Sequence, residues 1–232
     1  MLPSLGMSTP TLQPPPLASL GLLPGSWHPS PAALAAAFAA TVTYEDGPPW
    51  AGQANCGGGI LPGSRAIGRF IQHNFPQVHD VGGYSCRQNT ANAAKTSMHG
   101  SGRAVDLMIA PVGGRADHVR GNPIADLLLL HADWIGVQCV IWDRTIWSPD
   151  HRPARVGPYG GPNPHIDHLH VEFTRAAAEM RTRFFAAGLT LPAARAASVA
   201  KRSGALLGLL AALAAAAAGG AVLLALDDGA ES

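Results

Sequence analysis

Charged residues are scarce in this chain, and neither sign dominates. Asp, Glu, Lys and Arg make up 13% of the 232 residues, and the formal net charge is +1 at pH 7. A nucleic-acid-binding surface needs clustered Lys and Arg against the phosphates, so this balance argues against a nucleic-acid partner. The length and the hydrophobic fraction of 47% are enough for one ordinary core. We therefore expect one folded domain and a monomer.

Basic residues are absent from the beginning of the chain. The first Lys or Arg is Arg65, whereas a secretory signal peptide needs a basic region ahead of its apolar stretch. Export by the ordinary route is therefore not predicted. Residues 1–30 are rich in Pro, Ser and Leu and show no sustained period of 3.6 or 2. We interpret them as a disordered lead that precedes a domain over 31–188.

Cysteine is also rare, and the three that occur, Cys56, Cys86 and Cys139, form no CxxC motif of the redox or structural-zinc type. Cys139 lies in the apolar run Val137–Trp142, where a buried thiol behaves as a small hydrophobe. Cys56 and Cys86 lie in Gly-rich, loop-like surroundings, which suit a disulfide in an oxidising compartment. We expect these two to pair and Cys139 to stay reduced.

Residues 204–226 lack any charged or strongly polar side chain. These 23 residues, at ~1.5 Å each in a helix, would span a hydrocarbon core of ~30 Å. We predict a transmembrane helix there, after a linker over 189–203 and before a tail over 227–232. The alternative is a buried Ala-rich helix. Basic residues precede the segment and acids follow it, which by the positive-inside rule would leave the domain in the cytoplasm.

Helical and strand-like patterns alternate through the predicted domain and indicate an α+β fold with a small sheet. Ser30-Pro31 resembles a capped helix start, with Pro in the first turn. Helices are predicted from Ser30-Pro31 to Thr41, from Ser64 to a stop at Pro76, and from about Pro123 to Ala132. Strands are predicted over Ala104–Ile109, Val137–Trp142 and His168–Phe173.

Histidine is concentrated at one place, since three of the ten fall within His165–His170. On a strand, His168 and His170 project to one face, while Leu169 and Val171 face the other way into a core. A lone His is more often structural than a ligand. An H-x-H pair on an otherwise apolar strand reverses that expectation and favours metal binding.

A second segment offers further ligands, which a catalytic zinc site needs because it takes three from the protein and leaves one position open. His99 and Asp106 lie seven residues apart, and Gly100 and Gly102 between them permit a tight turn. Asp106 directly precedes the apolar run 107–109. Burial of a carboxylate there costs free energy unless the carboxylate is paired or bound to a metal.

Together the two segments resemble a known family. Residues 97–106 resemble the S-x-H-x-x-G-x-A-x-D motif of the zinc peptidases that include D-Ala-D-Ala carboxypeptidases, murein endopeptidases and the Hedgehog signalling domain. Residues 165–170, H-x-x-H-x-H, resemble the second motif of the murein endopeptidases. The stretch Tyr84–Arg87 is similar to the extensin-like C-terminal family within this fold. The resemblance covers about Glu45 to Phe173.

The resemblance implies a Hedgehog- or D,D-peptidase-like fold, in which a small antiparallel sheet is flanked by helices. Its metal ligands would be His99, Asp106 and His170, and the metal would be Zn²⁺. The implied activity is hydrolysis of peptide bonds in peptidoglycan stem peptides or cross-links, as a D,D-carboxypeptidase or an endopeptidase. That substrate implies a membrane-anchored protein of the cell envelope, although the charges that flank 204–226 favour the cytoplasmic side. The side of the membrane is left open.

Four further residues receive catalytic roles from the resemblance. Asp167 occupies the place of a Glu base in carboxypeptidase relatives, and His168 the place of a His in endopeptidase relatives, so the base is one of these two. His165 would orient substrate or stabilise an oxyanion. Arg87 matches an arginine that contacts substrate or stabilises charge, with a surface ion pair as the alternative.

For the segment Ile141–Trp147 and for the domain as a whole, two interpretations stay open. The segment, which contains Trp142, Asp143, Arg144 and Trp147, either lines a substrate groove or packs in the core, as large aromatics more often do. The domain is either an enzyme or a zinc-stabilised binding module without hydrolytic activity. The presence of both Asp167 and His168 beside the ligands favours the enzyme.

Overall fold

The computed structural model of the protein describes residues 15–192. After a short 3-10 helix at Leu17–Leu20, the helices are α1 Pro31–Ala39, α2 Pro62–Asn74, α3 His118–Leu130, α4 Ala132–Ile135, α5 Arg175–Ala178 and α6 Arg183–Ala186. The strands are β1 Asp80–Gly82, β2 Ala104–Met108, β3 Val137–Trp142, β4 Thr145–Trp147, β5 Val156–Pro158 and β6 His168–Phe173.

The strands form one six-stranded antiparallel sheet in the order β1-β2-β6-β3-β4-β5. This α+β architecture confirms the predicted fold class at that level. Strand β6, the last in chain order, lies at the centre between β2 and β3. Its alternate residues Leu169, Val171 and Phe173 are fully buried in the hydrophobic core. The polar residues of β6 therefore project from the opposite face of the sheet.

The predicted long elements are present, most boundaries lie within two residues of the prediction, and the start of α3 is displaced furthest. Strands β3 and β6 have the predicted limits, and α1 begins behind a Ser30 side chain that accepts from the Ala33 amide. Helix α3 begins five residues before the predicted start at Pro123, because Asp117 caps it by accepting from the Arg120 amide. Pro123 lies inside the helix and leaves the Val119 carbonyl without its partner, but Val119 is 77% exposed and water can solvate that group.

The predicted disordered lead over 1–30 is contradicted for its described part, because residues 15–30 pack on the domain. Trp27 is fully buried, and its indole nitrogen donates to Asp126 Oδ1 over 3.2 Å. The backbone amide of Ser30 donates to the same carboxylate. Composition concealed this contact because a single buried aromatic side chain creates no periodic pattern.

The cysteines are arranged as predicted. Cys56 and Cys86 form a disulfide, and Cys139 is a buried free thiol on β3. The disulfide joins the loop before α2 to the segment that follows β1. Ser97, at the start of the first motif, donates its backbone amide to the Arg87 carbonyl over 2.9 Å. The cross-link therefore lies one residue away from the backbone that supports this motif.

Both tryptophans of the segment Ile141–Trp147 belong to the core, whereas Ile141 and Ile146 are among the residues that line a cleft, so each interpretation holds for part of the segment. Trp142 and Trp147 are fully buried, and their indole nitrogens donate to Asn122 Oδ1 and to the Ala37 carbonyl. Asp143 and Arg144 both have positive φ, at 36° and 62°. They form the two-residue turn between β3 and β4, as the primed hairpin turns require.

Of the segments predicted after residue 188, the structure describes only residues 189–192. Leu189 and Leu191 pack against the core, so the packed domain extends beyond the predicted limit at 188. Within residues 15–192, no helix is long and apolar enough to cross a membrane. The transmembrane helix predicted over 204–226 and the tail over 227–232 lie outside the described residues, and both stay predictions.

Candidate metal centre

Three side-chain atoms from the two sequence motifs converge at one point beside the central strands. His99 Nε2 lies 3.0 Å from His170 Nδ1 and 3.3 Å from Asp106 Oδ1. His170 Nδ1 and Asp106 Oδ1 are 3.1 Å apart. Both imidazoles are buried, and Asp106 is half-buried. This group could hold a metal ion, and it consists of the residues that the motifs predict as ligands.

The spacing of the three atoms fits a tetrahedral zinc site. Ligand atoms about 2.0–2.1 Å from a tetrahedral zinc ion lie roughly 3.3 Å from one another. The observed separations of 3.0, 3.1 and 3.3 Å are close to that triangle. Nitrogen and carboxylate ligands of this kind suit zinc, and a three-ligand set leaves a fourth position open.

The hydrogen bonds on the far side of each imidazole leave its lone pair pointing inward. His99 Nδ1 donates to the Gly83 carbonyl, so His99 Nε2 is the unprotonated nitrogen of the neutral ring. His170 Nε2 donates to Glu172 Oε1 over 3.0 Å, so His170 Nδ1 carries the lone pair. When both rings are neutral, two nitrogen lone pairs and a carboxylate oxygen thus face one another. This arrangement is favourable when a cation lies between them.

The sheet register and a tight turn place the three ligands. Asp106 on β2 is directly opposite His170 on β6, so both side chains project from the same face. His99 lies in the turn that leads into β2, where the Gly102 amide donates to the His99 carbonyl. Gly102 has φ +72°, and a Cβ there would lie 2.4 Å from the Gly59 carbonyl oxygen. Only glycine fits this position without displacing the neighbouring backbone.

The pKa values of the ligands in the metal-free protein reflect their mutual contacts. Burial alone would raise the pKa of Asp106, but hydrogen bonds from His170 and His99 hold it far below its usual value. Burial alone would lower the pKa of His170, but hydrogen bonds to Asp106 and Glu172 raise it to about 9. Without metal, a proton on His170 therefore balances the neighbouring carboxylates.

Asp167 and His168, the two candidate bases, contact each other. Strand β6 begins at His168, so Asp167 lies in the preceding loop. Only from a loop could Asp167 approach the metal on the same side as His168. The Asp167 carboxylate does not turn to the metal ligands, however. Its Oδ1 lies 2.7 Å from His168 Nδ1, while His168 Nε2 lies 3.9 Å from Asp106 Oδ1. The imidazole of His168 is therefore the group that faces the metal ligands.

His165 adjoins the same cluster in a constrained conformation. Its φ is +53°, and its Nδ1 donates to the Asn163 carbonyl over 2.7 Å. Burial, followed by the neighbouring His170 and His168, lowers the pKa of His165 to about 3. His165 is therefore neutral near pH 7 with its lone pair on Nε2. That nitrogen can accept a hydrogen bond but cannot donate one to an oxyanion, which disfavours the predicted oxyanion role.

A cleft of about 560 Å³ opens over the cluster, and Arg87 is among its lining residues. The Arg87 guanidinium donates to the Gln88 carbonyl over 3.3 Å, and no carboxylate within residues 15–192 lies within ion-pair distance of it. The surface ion pair considered for Arg87 is therefore not present in the described part of the chain. Tyr84, beside the disulfide, accepts from the Gly58 amide through its hydroxyl.

Glu172 and Tyr44 adjoin the ligands but are not among the residues predicted from the sequence. Glu172 lies two residues after His170, on the same face of β6, and its carboxylate is buried against His170. The hydroxyl of Tyr44 faces the Glu172 carboxylate from outside the sheet. The alternation that places His168 and His170 on one face also includes Glu172, and this signal could have identified it. No sequence pattern identifies Tyr44.

Comparison with known proteins gives a match to a family model. A family model described as the VldE C-terminal domain matches residues 56–170. The matched region contains the disulfide and both motif segments, 97–106 and 165–170. No curated protein and no solved structure matches the chain.

Proposed function

We propose that this protein is a zinc-dependent peptidase that hydrolyses peptidoglycan stem peptides or cross-links, as a D,D-carboxypeptidase or an endopeptidase. The observation that carries the proposal is the convergence of His99 Nε2, Asp106 Oδ1 and His170 Nδ1 beneath an open cleft. A closed structural zinc site would have four protein ligands. The choice of substrate rests on the resemblance of segments 97–106 and 165–170 to the cell-wall peptidase motifs.

Bound zinc supplies a Lewis acid that polarises a scissile carbonyl and lowers the pKa of water, the chemistry that peptide hydrolysis needs. His168 supplies the proton transfer. Its Nε2 lone pair accepts a proton from the attacking water and then delivers it to the leaving amine. Asp167 holds the His168 ring through Nδ1 and stabilises its protonated form. Water and the peptide are thereby converted into a carboxylic acid and an amine.

The remaining cleft residues suit substrate binding. Arg87 offers its guanidinium to a substrate carboxylate, such as the terminal carboxylate of a stem peptide. His165 offers its Nε2 as a hydrogen-bond acceptor for a substrate amide N–H. A cell-wall substrate requires the protein to be located at the cell envelope. We propose that residues 204–226 anchor it in the membrane there.

Digestion of purified peptidoglycan by the zinc-loaded protein tests this function. We expect one zinc per chain by elemental analysis, and release of muropeptide fragments that mass spectrometry can assign to a cleaved bond. His99→Ala, Asp106→Ala and His170→Ala should each lose both the zinc and the activity. His73→Ala is the matched control, since His73 is exposed on α2 away from the cleft.

Two outcomes would contradict the proposal. Full zinc occupancy in one of the three alanine variants would remove that residue from the ligand set. A wild-type protein that holds one zinc but releases nothing from peptidoglycan or from synthetic stem peptides would favour the zinc-stabilised binding module instead.

A further inference from the structure

Glu172 is a buried carboxylate beside the metal ligands, and the catalytic chemistry proposed above does not use it. It is 7% exposed, and its Oε1 lies 3.0 Å from His170 Nε2. A carboxylate buried to this degree is costly unless it is paired. Within the described residues its side-chain hydrogen bond is to His170 through Oε1, and its buried Oε2 has no hydrogen-bond partner. The position therefore requires an explanation beyond packing.

We infer that Glu172 is a positioning residue for the metal, which fixes the orientation of His170 and balances the charge of the bound ion. The inference rests on the metal centre of the proposed function. An ionised carboxylate can only accept, so the contact with Glu172 keeps the proton of His170 on Nε2. Nδ1 is then free for coordination, and the ring cannot rotate without breaking this bond.

The charge balance gives Glu172 its second role. When His99 and His170 act as neutral ligands, the carboxylates at the centre are Asp106 and Glu172, while the nearby Arg103 guanidinium is balanced by its ion pair with Glu45. Two negative charges match the two positive charges of a divalent cation, so the buried centre is neutral when it is loaded. Removal of the Glu172 charge would leave an excess positive charge in a buried site, which is unfavourable.

Tyr44 supports Glu172 from a segment that is fixed to the first motif. Arg103, three residues before Asp106, donates to Glu45 Oε2 and to the Glu45 carbonyl, each over 2.9 Å. Gln138 on β3 donates to the same carbonyl and accepts from the Glu45 amide. These bonds hold the backbone next to Tyr44, whose phenol interacts electrostatically with the nearby Glu172 carboxylate.

Zinc affinity of the full-length protein, measured by competition with a chromogenic chelator, tests the inference. Loss of a partner that orients a metal ligand typically weakens metal binding by about 10–100-fold. We expect such a loss for Glu172→Ala. Glu172→Gln keeps an acceptor for His170 but lacks the charge, so we expect a loss of roughly 10-fold. Tyr44→Phe should weaken binding less than either change. Glu179→Gln is the control, since Glu179 is exposed and pairs with Arg181.

The Co²⁺-substituted protein gives a second readout. The visible absorption of bound Co²⁺ should change in Glu172→Ala, where the His170 ring is no longer held, and should be unaltered in Glu179→Gln. Unfolding midpoints of the metal-free variants show whether the fold persists, and Glu172→Gln, which is nearly isosteric, remains the decisive variant if Glu172→Ala does not fold.

The outcomes separate this inference from the proposed function. If the wild type binds zinc tightly and both Glu172 variants bind it equally well, the inference is wrong while the metal centre stands. If Glu172→Gln binds like the wild type and only Glu172→Ala is weakened, the charge-balancing role is wrong. A wild-type protein without zinc affinity would overturn the metal centre and the inference with it.

Discussion

His168 Nδ1 lies 2.7 Å from Asp167 Oδ1, so one of the two candidate bases orients the other. An ionised carboxylate only accepts, which places the proton of His168 on Nδ1 and its lone pair on Nε2. Nε2 is the nitrogen that lies nearer to Asp106. The geometry therefore favours His168 as the base and Asp167 as its support, although the sequence had left both possibilities open.

Substitution of these two residues should separate base from support. Loss of a general base typically lowers the rate by ~10²–10⁴-fold, and we expect His168→Ala to fall in that range while it retains its zinc. Asp167 has a half-exposed carboxylate, and Asp167→Asn should lose roughly 10–100-fold, the size typical of an orienting partner. The measurements are kcat on a synthetic stem peptide and zinc content. A larger loss for Asp167→Asn than for His168→Ala would reassign the base to Asp167.

The stability of the metal-free protein should depend on pH through His170. Its folded pKa of about 9 lies above the value of ~6.5 expected for the unfolded chain. A raised folded pKa adds stability that is complete below pH ~6.5 and is lost as the pH rises through about 9. Zinc replaces this proton, so the loaded protein should not show the same decline.

Urea unfolding between pH 6 and 9, with either chelator or excess zinc, measures this difference. We expect the free energy of unfolding of the chelated protein to fall toward alkaline pH, and His170→Ala to abolish that fall. If the free energy of unfolding has the same pH dependence in the chelated and zinc-loaded proteins, proton and metal do not compete for His170.

The disulfide should contribute measurably to stability. The cysteines are 30 residues apart in sequence, and the chain-entropy relation assigns about 3–4 kcal/mol to a loop of that length. A Cys56→Ser/Cys86→Ser variant should lose this amount of unfolding free energy in denaturant titrations. Reductant should reproduce the loss in the wild type and have no effect on the variant, which serves as its control. Equal stability of the oxidised and reduced wild type would contradict this prediction.

The segment 204–226 should insert into a bilayer, because its uncharged run is long enough to span one. We expect the full-length protein to remain in the membrane fraction after alkaline carbonate extraction. A variant that ends at residue 203 should be soluble and retain zinc binding, since the three ligands lie within the described domain. Extraction of the full-length chain by carbonate would show that the segment is not an anchor.

The sequence predicted the elements that carry a strong local signal. Strands β3 and β6 are continuous six-residue runs, and α1 has a capping serine followed by proline. Strands β1, β4 and β5 have three residues each, which is too short to show a period of two. Their place in the sheet depends on pairing with distant strands, and local propensity does not determine such pairing.

The three candidate ligands could be predicted from the sequence, and the alternation along β6 could also have identified Glu172, but the orientation of Asp167 could not be predicted. The two motifs identified His99, Asp106 and His170 as candidate ligands. In the structure they lie together because β2 and β6 are paired so that Asp106 is opposite His170. The direction of the Asp167 side chain depends on the loop before β6, where His165 has the rare positive φ of 53°. A backbone conformation of this kind leaves no clear trace in residue type. For this reason only the structure shows that the Asp167 side chain points away from the candidate metal ligands.

The central position of β6 bears on how the protein folds during synthesis. Strands β2 and β3 flank β6 and do not pair with each other, so neither has its principal neighbour until residue 173 has been made. His170 arrives with the same strand, so a nascent chain that ends before it contains two of the three candidate metal ligands. Sheets closed by such long-range pairing fold slowly. The polypeptide should therefore stay unfolded and unmetallated until nearly all of the domain has left the ribosome, and then acquire its sheet and its metal site in a single late step.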